Sequence, residues 1–205
     1  MLITFEGIDG SGKSTQIKLL ADYFISNRRE VVILREPGGT IFSEKIRELL
    51  LSKDYNLNPI TELFLFEAAR ADLVEKTIKP SLDEGKVVLC DRFYDSTTAY
   101  QGHGREISID DISRSNIMAT LGIKPDITFF LDITIEKSIQ RTRYKDPDRI
   151  ELSGGEFFSR VLEGFHDIAN KEPERVFIID SEGSINETHN KIIEILNRQI
   201  NTLNI

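Results

Sequence analysis

Gly7-Ile8-Asp9-Gly10-Ser11-Gly12-Lys13-Ser14 fits the pattern G-x-x-x-x-G-K-[ST], a loop that wraps phosphate groups. The apolar run Leu2-Ile3-Thr4-Phe5 precedes it, and Ile17, Leu20, Ala21 and Phe24 follow at helical spacing. Strand, glycine turn and helix are the context the pattern requires. Glycines let the backbone curl and aim successive N–H groups at a triphosphate, and the following helix adds the positive end of its dipole. Lys13 has the reach for the β- and γ-phosphates, and the Ser14 hydroxyl suits Mg²⁺. The expected nucleotide-binding set is therefore Gly7, Ile8, Asp9, Gly10, Ser11, Gly12, Lys13, Ser14 and Thr15.

Outward from the loop, four further apolar runs appear: Val31–Leu34, Val87–Cys90, Ile127–Leu131 and Val176–Ile179. Near-continuous β-branched and aromatic runs suit strands buried on both faces, as in a parallel sheet. Helix-period segments lie between them. Pro59 to Glu84 reads as one long helix ended by Gly85, Ser108 to Leu121 as another stopped by Gly122, and Ile185, Ile192, Leu196 and Leu203 mark the last. Right-handed βαβ crossovers follow. The predicted fold is α/β: a three-layer P-loop NTPase architecture with a five-stranded parallel sheet flanked by helices. It is read as one domain over 1–205, without repeats or an interdomain linker.

The chain has 205 residues and a net charge of −8, which argues against non-specific nucleic-acid or membrane binding. Its single cysteine, Cys90, lies in an apolar run and reads as a small buried hydrophobe in a reducing compartment. No stretch approaches the roughly 20 apolar residues of a membrane span. The N-terminus enters a strand with no export signal visible. A cytoplasmic protein is expected.

Ligands of such sheets bind beyond the carboxyl ends of the strands. Those ends read Glu6-Gly7, Arg35-Glu36-Pro37-Gly38-Gly39-Thr40, Asp91-Arg92, Asp132 and Asp180-Ser181. Asp91, after four apolar residues, has the form of the carboxylate that holds Mg²⁺ beside a phosphate loop. Ser14 and Asp91 are the expected metal pair. Arg92 suits bidentate contact with a phosphate, its alternative being an ion pair with Asp91 or Glu36. Between Arg141 and Glu151 the chain is polar and carries Arg141, Arg143, Lys145 and Arg149. Beside a phosphate loop in an acidic chain, this reads as a short lid, about residues 141–151, that supplies cations.

At this point the chain resembles a known family. Asp91-Arg92-Phe93 with Ser96, Ala99, Tyr100 and Gln101-Gly102 is similar to the segment that marks thymidylate kinases of the bacterial type. Phe5-Glu6-Gly7-Ile8-Asp9, Arg35 to Thr40, Phe66-Glu67-Ala68-Ala69-Arg70 and Asp148-Arg149-Ile150-Glu151 agree in order. The resemblance implies transfer of the γ-phosphate of ATP to dTMP with Mg²⁺, small-molecule partners and a homodimer. It implies that Phe66 stacks on thymine, that Arg70 bonds the oxygen beside the methyl group, and that Thr97 and Gln101 touch the base from the other side. Tyr100 would crowd the sugar 2′ position, and Asp9 would approach the 3′-hydroxyl and the acceptor phosphate. Arg92, Arg35 and Arg47 would hold that phosphate, with Ser96, Glu36 and Pro37 beside it and the Glu36-Pro37 bond cis. Lys13, Arg92, Arg143, Lys145 and Arg149 would carry the chemistry, and Arg141 would flank adenine.

Three alternatives stand beside this reading. Another P-loop nucleoside monophosphate kinase would differ only in its acceptor pocket. A GTP-dependent switch would show Asp-x-x-Gly after the third strand and Asn-Lys-x-Asp near the base, whereas Asp91-Arg92-Phe93-Tyr94 stands at the first place and the second motif is absent. A non-catalytic nucleotide-binding subunit would not need Lys13, Ser14, Asp91 and Arg92 together.

Overall fold

The computed structural model describes residues 1–144 and 146–203, with side chains through residue 200. Strands form where the apolar runs stand: β1 Leu2–Glu6, β2 Val31–Arg35, β3 Val87–Asp91, β4 Ile127–Asp132 and β5 Val176–Asp180. Each continues one residue past its run, onto the charged group at its end, because the ladder is a backbone property that does not stop at the first polar side chain. All pairings are parallel, in the order β2-β3-β1-β4-β5. The strand that feeds the phosphate loop is thus central.

The helices are α1 Lys13–Ser26, α2 Ile41–Leu51, α3 Pro59–Leu73, α4 Lys79–Asp83, α5 Tyr94–Thr97, α6 Ile109–Ala119, α7 Ile135–Thr142, α8 Gly155–Lys171 and α9 Ile185–Leu203. Strand alternation divides the core. Ile3, Phe5, Leu89, Phe129 and Ile179 pack on Ile17, Leu20 and Phe24 of α1 and Ile192 and Leu196 of α9. On the other face, Leu2, Val88 and Cys90 meet Leu73, Val74 and Ile78, while Phe130 and Val176 meet Phe157, Val161 and Phe165 of α8. Each such buried side chain contributes about 1.5–3 kcal/mol of transfer free energy, and the three-layer α/β expectation is met.

The predicted helix over 59–84 needs correction. It widens into a π-helical turn at Val74–Ile78 before resuming as α4. Pro80 has no N–H to offer the carbonyl four residues back, and its ring crowds that carbonyl, so a wider turn absorbs it. The helix expected over 108–121 is shorter, Ile109–Ala119, and Leu121 and Gly122 close it with φ of 53° and 76°. A 3₁₀ turn at Glu151–Ser153 precedes α8, which begins at Gly155. A second π-helical segment, Thr98–Gly104, follows α5 and carries Tyr100 and Gln101.

Candidate active site

The loop after β1 is curled as its sequence demands. Gly7 has φ 129°, and a Cβ there would lie 2.5 Å from the Leu131 carbonyl oxygen on β4. Only glycine combines that dihedral with that approach. Lys13, 6% exposed, donates to the carbonyls of Gly7 at 3.0 Å and Ile8 at 3.1 Å. Burial pulls its pKa down, aided by Arg92 and opposed by Asp91 and Asp9. The Ser14 hydroxyl donates to Asp91 Oδ2 at 2.8 Å, so the two expected metal ligands converge. Two hard oxygens there suit Mg²⁺, which takes most of its shell from water and phosphate. Among the described residues no group of three or more His, Cys, Asp or Glu forms a protein-only metal cage. Gly10, Gly12, Lys13, Ser14, Thr15, Arg35, Asp91 and Arg92 line this cleft.

Beside it lies a second cavity, lined by Phe66, Arg70, Thr97, Tyr100, Gln101 and Pro37 among others. The two share Asp9, Glu36, Arg47 and Arg92. Arg92 is the hinge between them. It has φ 70°, a left-handed conformation that costs a non-glycine residue about 1–2 kcal/mol. Its guanidinium donates to Gly7 O at 2.8 Å, Ser96 Oγ at 3.2 Å and Asp9 Oδ1 at 3.0 Å, and lies 5.1 Å from the centre of the Tyr100 ring. Its ion pair is therefore with Asp9, not with Asp91 or Glu36. Glu6, the last residue of β1, secures this turn: it accepts from Phe93 N at 2.7 Å and Ser96 Oγ at 2.5 Å. Burial, reinforced by Asp95, pushes the Glu6 carboxyl up to about 8.

Phe66 and Arg70 share one face of α3, and both line the second cavity. Arg70 is buried, 2% exposed. Its guanidinium donates to Glu36 Oε2 at 2.8 Å, Glu67 Oε2 at 2.9 Å, Thr97 Oγ1 at 2.9 Å, Phe93 O at 3.3 Å and Asn116 Oδ1 at 3.4 Å. Burial raises Glu36 to about 7 despite Arg70, and its Oε1 stays without a hydrogen-bond partner. The Glu36-Pro37 bond is cis, as expected. Arg35 pairs with Glu44 at 2.9 Å, and Arg47 donates to Pro37 O at 2.9 Å. Gln101 Nε2 donates to Glu62 Oε1 at 2.8 Å. Tyr100 is 7% exposed, and burial raises its phenol, so it stays protonated.

The four cations expected in a lid divide. Arg141 donates to Gly10 O at 3.0 Å and Ser181 O at 2.9 Å, bridging the phosphate loop to the end of β5. Arg143 is exposed and lies over the Tyr144 ring at 4.5 Å. Lys145 lies outside the described residues. Arg149 departs from the expectation of a free lid cation: it pairs with Glu62 Oε2 at 2.7 Å and donates to Leu50 O at 3.0 Å. A buried carboxylate attracts the nearest guanidinium more strongly than solvent does, and charge patterning along the chain does not reveal a partner 87 positions back. Asp148 and Glu151 form a capping box, Asp148 Oδ1 accepting from Ile150 N and Glu151 N at 2.9 Å and Glu151 Oε2 accepting from Asp148 N at 3.0 Å.

Sequence reading assigned no role to Glu6, Glu62, Glu67, Arg105 or Asn116. Glu6 carried one signal, an acid closing a wholly buried strand. Glu62 and Glu67 carried another, acids placed among apolar positions of a helix.

A sequence family described as thymidylate kinase matches residues 5–192. The thymidylate kinase of Chlorobaculum parvum is 48% identical over 206 residues, covering 96% of this chain and 95% of that protein. That of Kosmotoga olearia is 44% identical, covering 95% and 94%. The crystal structure of thymidylate kinase from Ehrlichia chaffeensis superposes with a TM-score of 0.80 at 41% identity, covering 96% of this chain and 98% of that one. Phosphate loop, paired clefts and full-length likeness agree: the chain belongs to the thymidylate kinase family.

Proposed function

We propose that this protein transfers the γ-phosphoryl group of ATP to the 5′-phosphate of dTMP, giving dTDP and ADP, and acts as one kinase domain with residues 141–151 as its lid. The observation that carries this is the pair of clefts sharing Asp9, Glu36, Arg47 and Arg92. Two phosphorylated ligands in those clefts would meet there. Phosphoryl transfer asks little of a protein beyond alignment and charge neutralisation. Backbone N–H groups from Gly7 to Ser14 would cradle the donor, and Lys13 would leave the Gly7 and Ile8 carbonyls for the β- and γ-phosphates. Mg²⁺, which Ser14 and Asp91 would hold, would supply positive charge that neutralises the transferring group. Arg92, already over Tyr100 and tied to Asp9, would grip the acceptor phosphate, with Arg35, Arg47 and Ser96 at its flank.

On the acceptor side, Phe66 offers a face for stacking. The two long bonds of Arg70, to Phe93 O and Asn116, are those a base oxygen would take over most readily. Thr97 and Gln101 would meet the opposite edge of the base, and Tyr100 would fill the space under the sugar. Arg143 and Lys145 would bring lid charge to the transferring group, with Arg141 beside adenine. Arg149 is assigned instead to holding the lid's exit.

A second copy of the chain is proposed to cover α2, α3 and α6, where Ile41, Phe42, Ile60, Phe64 and Met118 stand exposed. Ile60, Phe64 and Met118 line one depression, and grouped apolar surface of this kind suits an association face. No helix among the described residues is long and apolar enough to cross a membrane.

The test is coupled detection of ADP with ATP and dTMP, against dUMP, dCMP and dGMP. We expect dTMP-dependent ADP formation that needs Mg²⁺. Formation with dGMP in preference to dTMP would overturn the acceptor assignment.

A further inference from the structure

We infer that Glu62 is a positioning residue for base selection: by accepting from Gln101 Nε2 it turns the carboxamide so that its oxygen faces the acceptor cavity, which selects a pyrimidine whose ring nitrogen carries a proton. The inference rests on the acceptor reading above.

The geometry begins with Glu62 itself. It lies in the first turn of α3 and is fully buried. Its Oε1 accepts from Gln101 Nε2 at 2.8 Å and Arg105 Nε at 3.1 Å. Its Oε2 accepts from Arg105 Nη2 at 3.2 Å and meets Arg149 Nη1 at 2.7 Å. A carboxylate has about four acceptor positions, so all are taken and the group has no freedom to turn. Burial alone would push its pKa up, but the hydrogen bonds from Arg105 and Gln101 outweigh it and the net shift is downward. Glu62 is thus ionised and accepts only.

An acceptor-only neighbour removes the usual ambiguity of a glutamine. The amide nitrogen must face Glu62, and Oε1 is left as the other end of a residue that lines the cavity. Arg105 secures the arrangement further, lying 4.3 Å over the Phe157 ring and donating to Ser153 Oγ at 3.0 Å.

The chemistry then follows from the bases. Thymine and uracil present one N–H between two carbonyl oxygens, whereas the same ring nitrogen of cytosine bears a lone pair. A fixed carbonyl oxygen completes a hydrogen bond with the first and opposes the second. A carboxamide free to flip would serve either. Discrimination built on a buried hydrogen bond reaches several orders of magnitude, because the wrong partner leaves polar groups unpaired.

The experiment compares kcat/KM for dTMP and dCMP, with ATP and Mg²⁺, in the wild type, Glu62→Gln and Glu62→Asp. Glu62→Gln lets its new carboxamide donate to Gln101 and reverse it. Glu62→Asp keeps a charge for Arg105 and Arg149 but draws it back from the amide, and so serves if the first variant does not fold. We expect the dTMP:dCMP ratio to fall by about tenfold or more in each soluble variant. General damage would lower both acceptors together and leave the ratio alone. A wild type active on dTMP whose ratio survives in both variants overturns the role of Glu62 only. A wild type inactive on dTMP overturns the acceptor reading and this inference with it.

Discussion

The donor cleft takes its phosphate-binding shape from one short stretch of chain, residues 7–15, and largely from backbone. The acceptor cleft is assembled across the sequence: Arg70 reaches Glu36 over 34 positions and Asn116 over 46. The first needs glycine dihedrals and one lysine. The second needs buried charges that hold each other. This difference separates what each half contributes. Changes in the donor half should act on turnover and leave the fold alone, whereas changes in the acceptor half should act on both.

The largest effect tests the acceptor half. Arg70→Ala would leave Glu36 and Glu67 buried beside each other without their cation. Removing one partner of a buried pair costs about 3–5 kcal/mol. Equilibrium urea unfolding should show a loss of that size, together with a raised KM for dTMP. A variant that loses dTMP affinity at wild-type stability would break the contrast, because Arg70 would then be a ligand contact without a structural role.

Lys13→Met supplies the opposite case. Its cation is buried and already disfavoured by desolvation. Its hydrogen bonds go to the Gly7 and Ile8 carbonyls and the Ser11 hydroxyl rather than to a carboxylate, so an apolar chain of similar length strands no buried charge and removes the lysine's own desolvation cost. Turnover should nevertheless fall by about 10²–10³, the usual loss when one preorganised charge contact to a transition state is removed. Urea unfolding within about 1 kcal/mol of wild type, beside that loss of kcat, is the expected pair of results. A large drop in stability would make the donor half as dependent on buried charge as its neighbour.

The same division explains how much was legible in the sequence. The five strands and the phosphate loop depend on local pattern, and they formed where the runs and glycines stood. Phe66 and Arg70 lie four positions apart, a spacing that sets two residues on one face of a helix. What the sequence withheld is three-dimensional. That Arg70 is saturated by Glu36, Glu67, Thr97, Phe93 and Asn116 depends on how α3 meets the end of β2, α5 and α6. Arg149 looked like its neighbours in a basic segment, and only folding brought Glu62 beside it. The π-helical turn at Val74–Ile78 had a local sign in Pro80, whereas that at Thr98–Gly104 had none in composition or spacing.

Glu6 joins the halves, since it holds the turn on which Arg92 serves both. In the unfolded chain its carboxyl ionises near the ordinary value of about 4.3, and in the folded protein burial keeps it protonated up to about 8. Between those values the native state binds more protons, so stability attributable to Glu6 falls as pH rises, by at most about 1.4 kcal/mol per pH unit. Glu6→Gln removes that dependence. Unfolding measured from pH 5 to pH 9 should show the wild type losing ground to the variant through this window. Parallel curves would mean that Glu6 is ionised throughout, with Arg92 stabilising it more than burial destabilises it.

The lid gives the smallest effects and the finest version of the contrast, because two neighbours there should fail differently. Arg143 is exposed, and its guanidinium lies over the adjacent Tyr144 ring. Arg143→Ala should leave stability unchanged and lower kcat about tenfold, more than it alters the KM for dTMP, as expected of a charge used in the transition state. Asp148 caps two backbone N–H groups at the lid's exit. Asp148→Ala should cost about 1 kcal/mol of stability and reach turnover indirectly, by loosening the segment that carries Arg149 and Ile150. Kinetics and urea unfolding on both variants would separate the two roles. If Arg143→Ala kept full kcat, the transferring phosphate would depend for its neutralisation on the donor half and Arg92 alone, and the lid would act by excluding water.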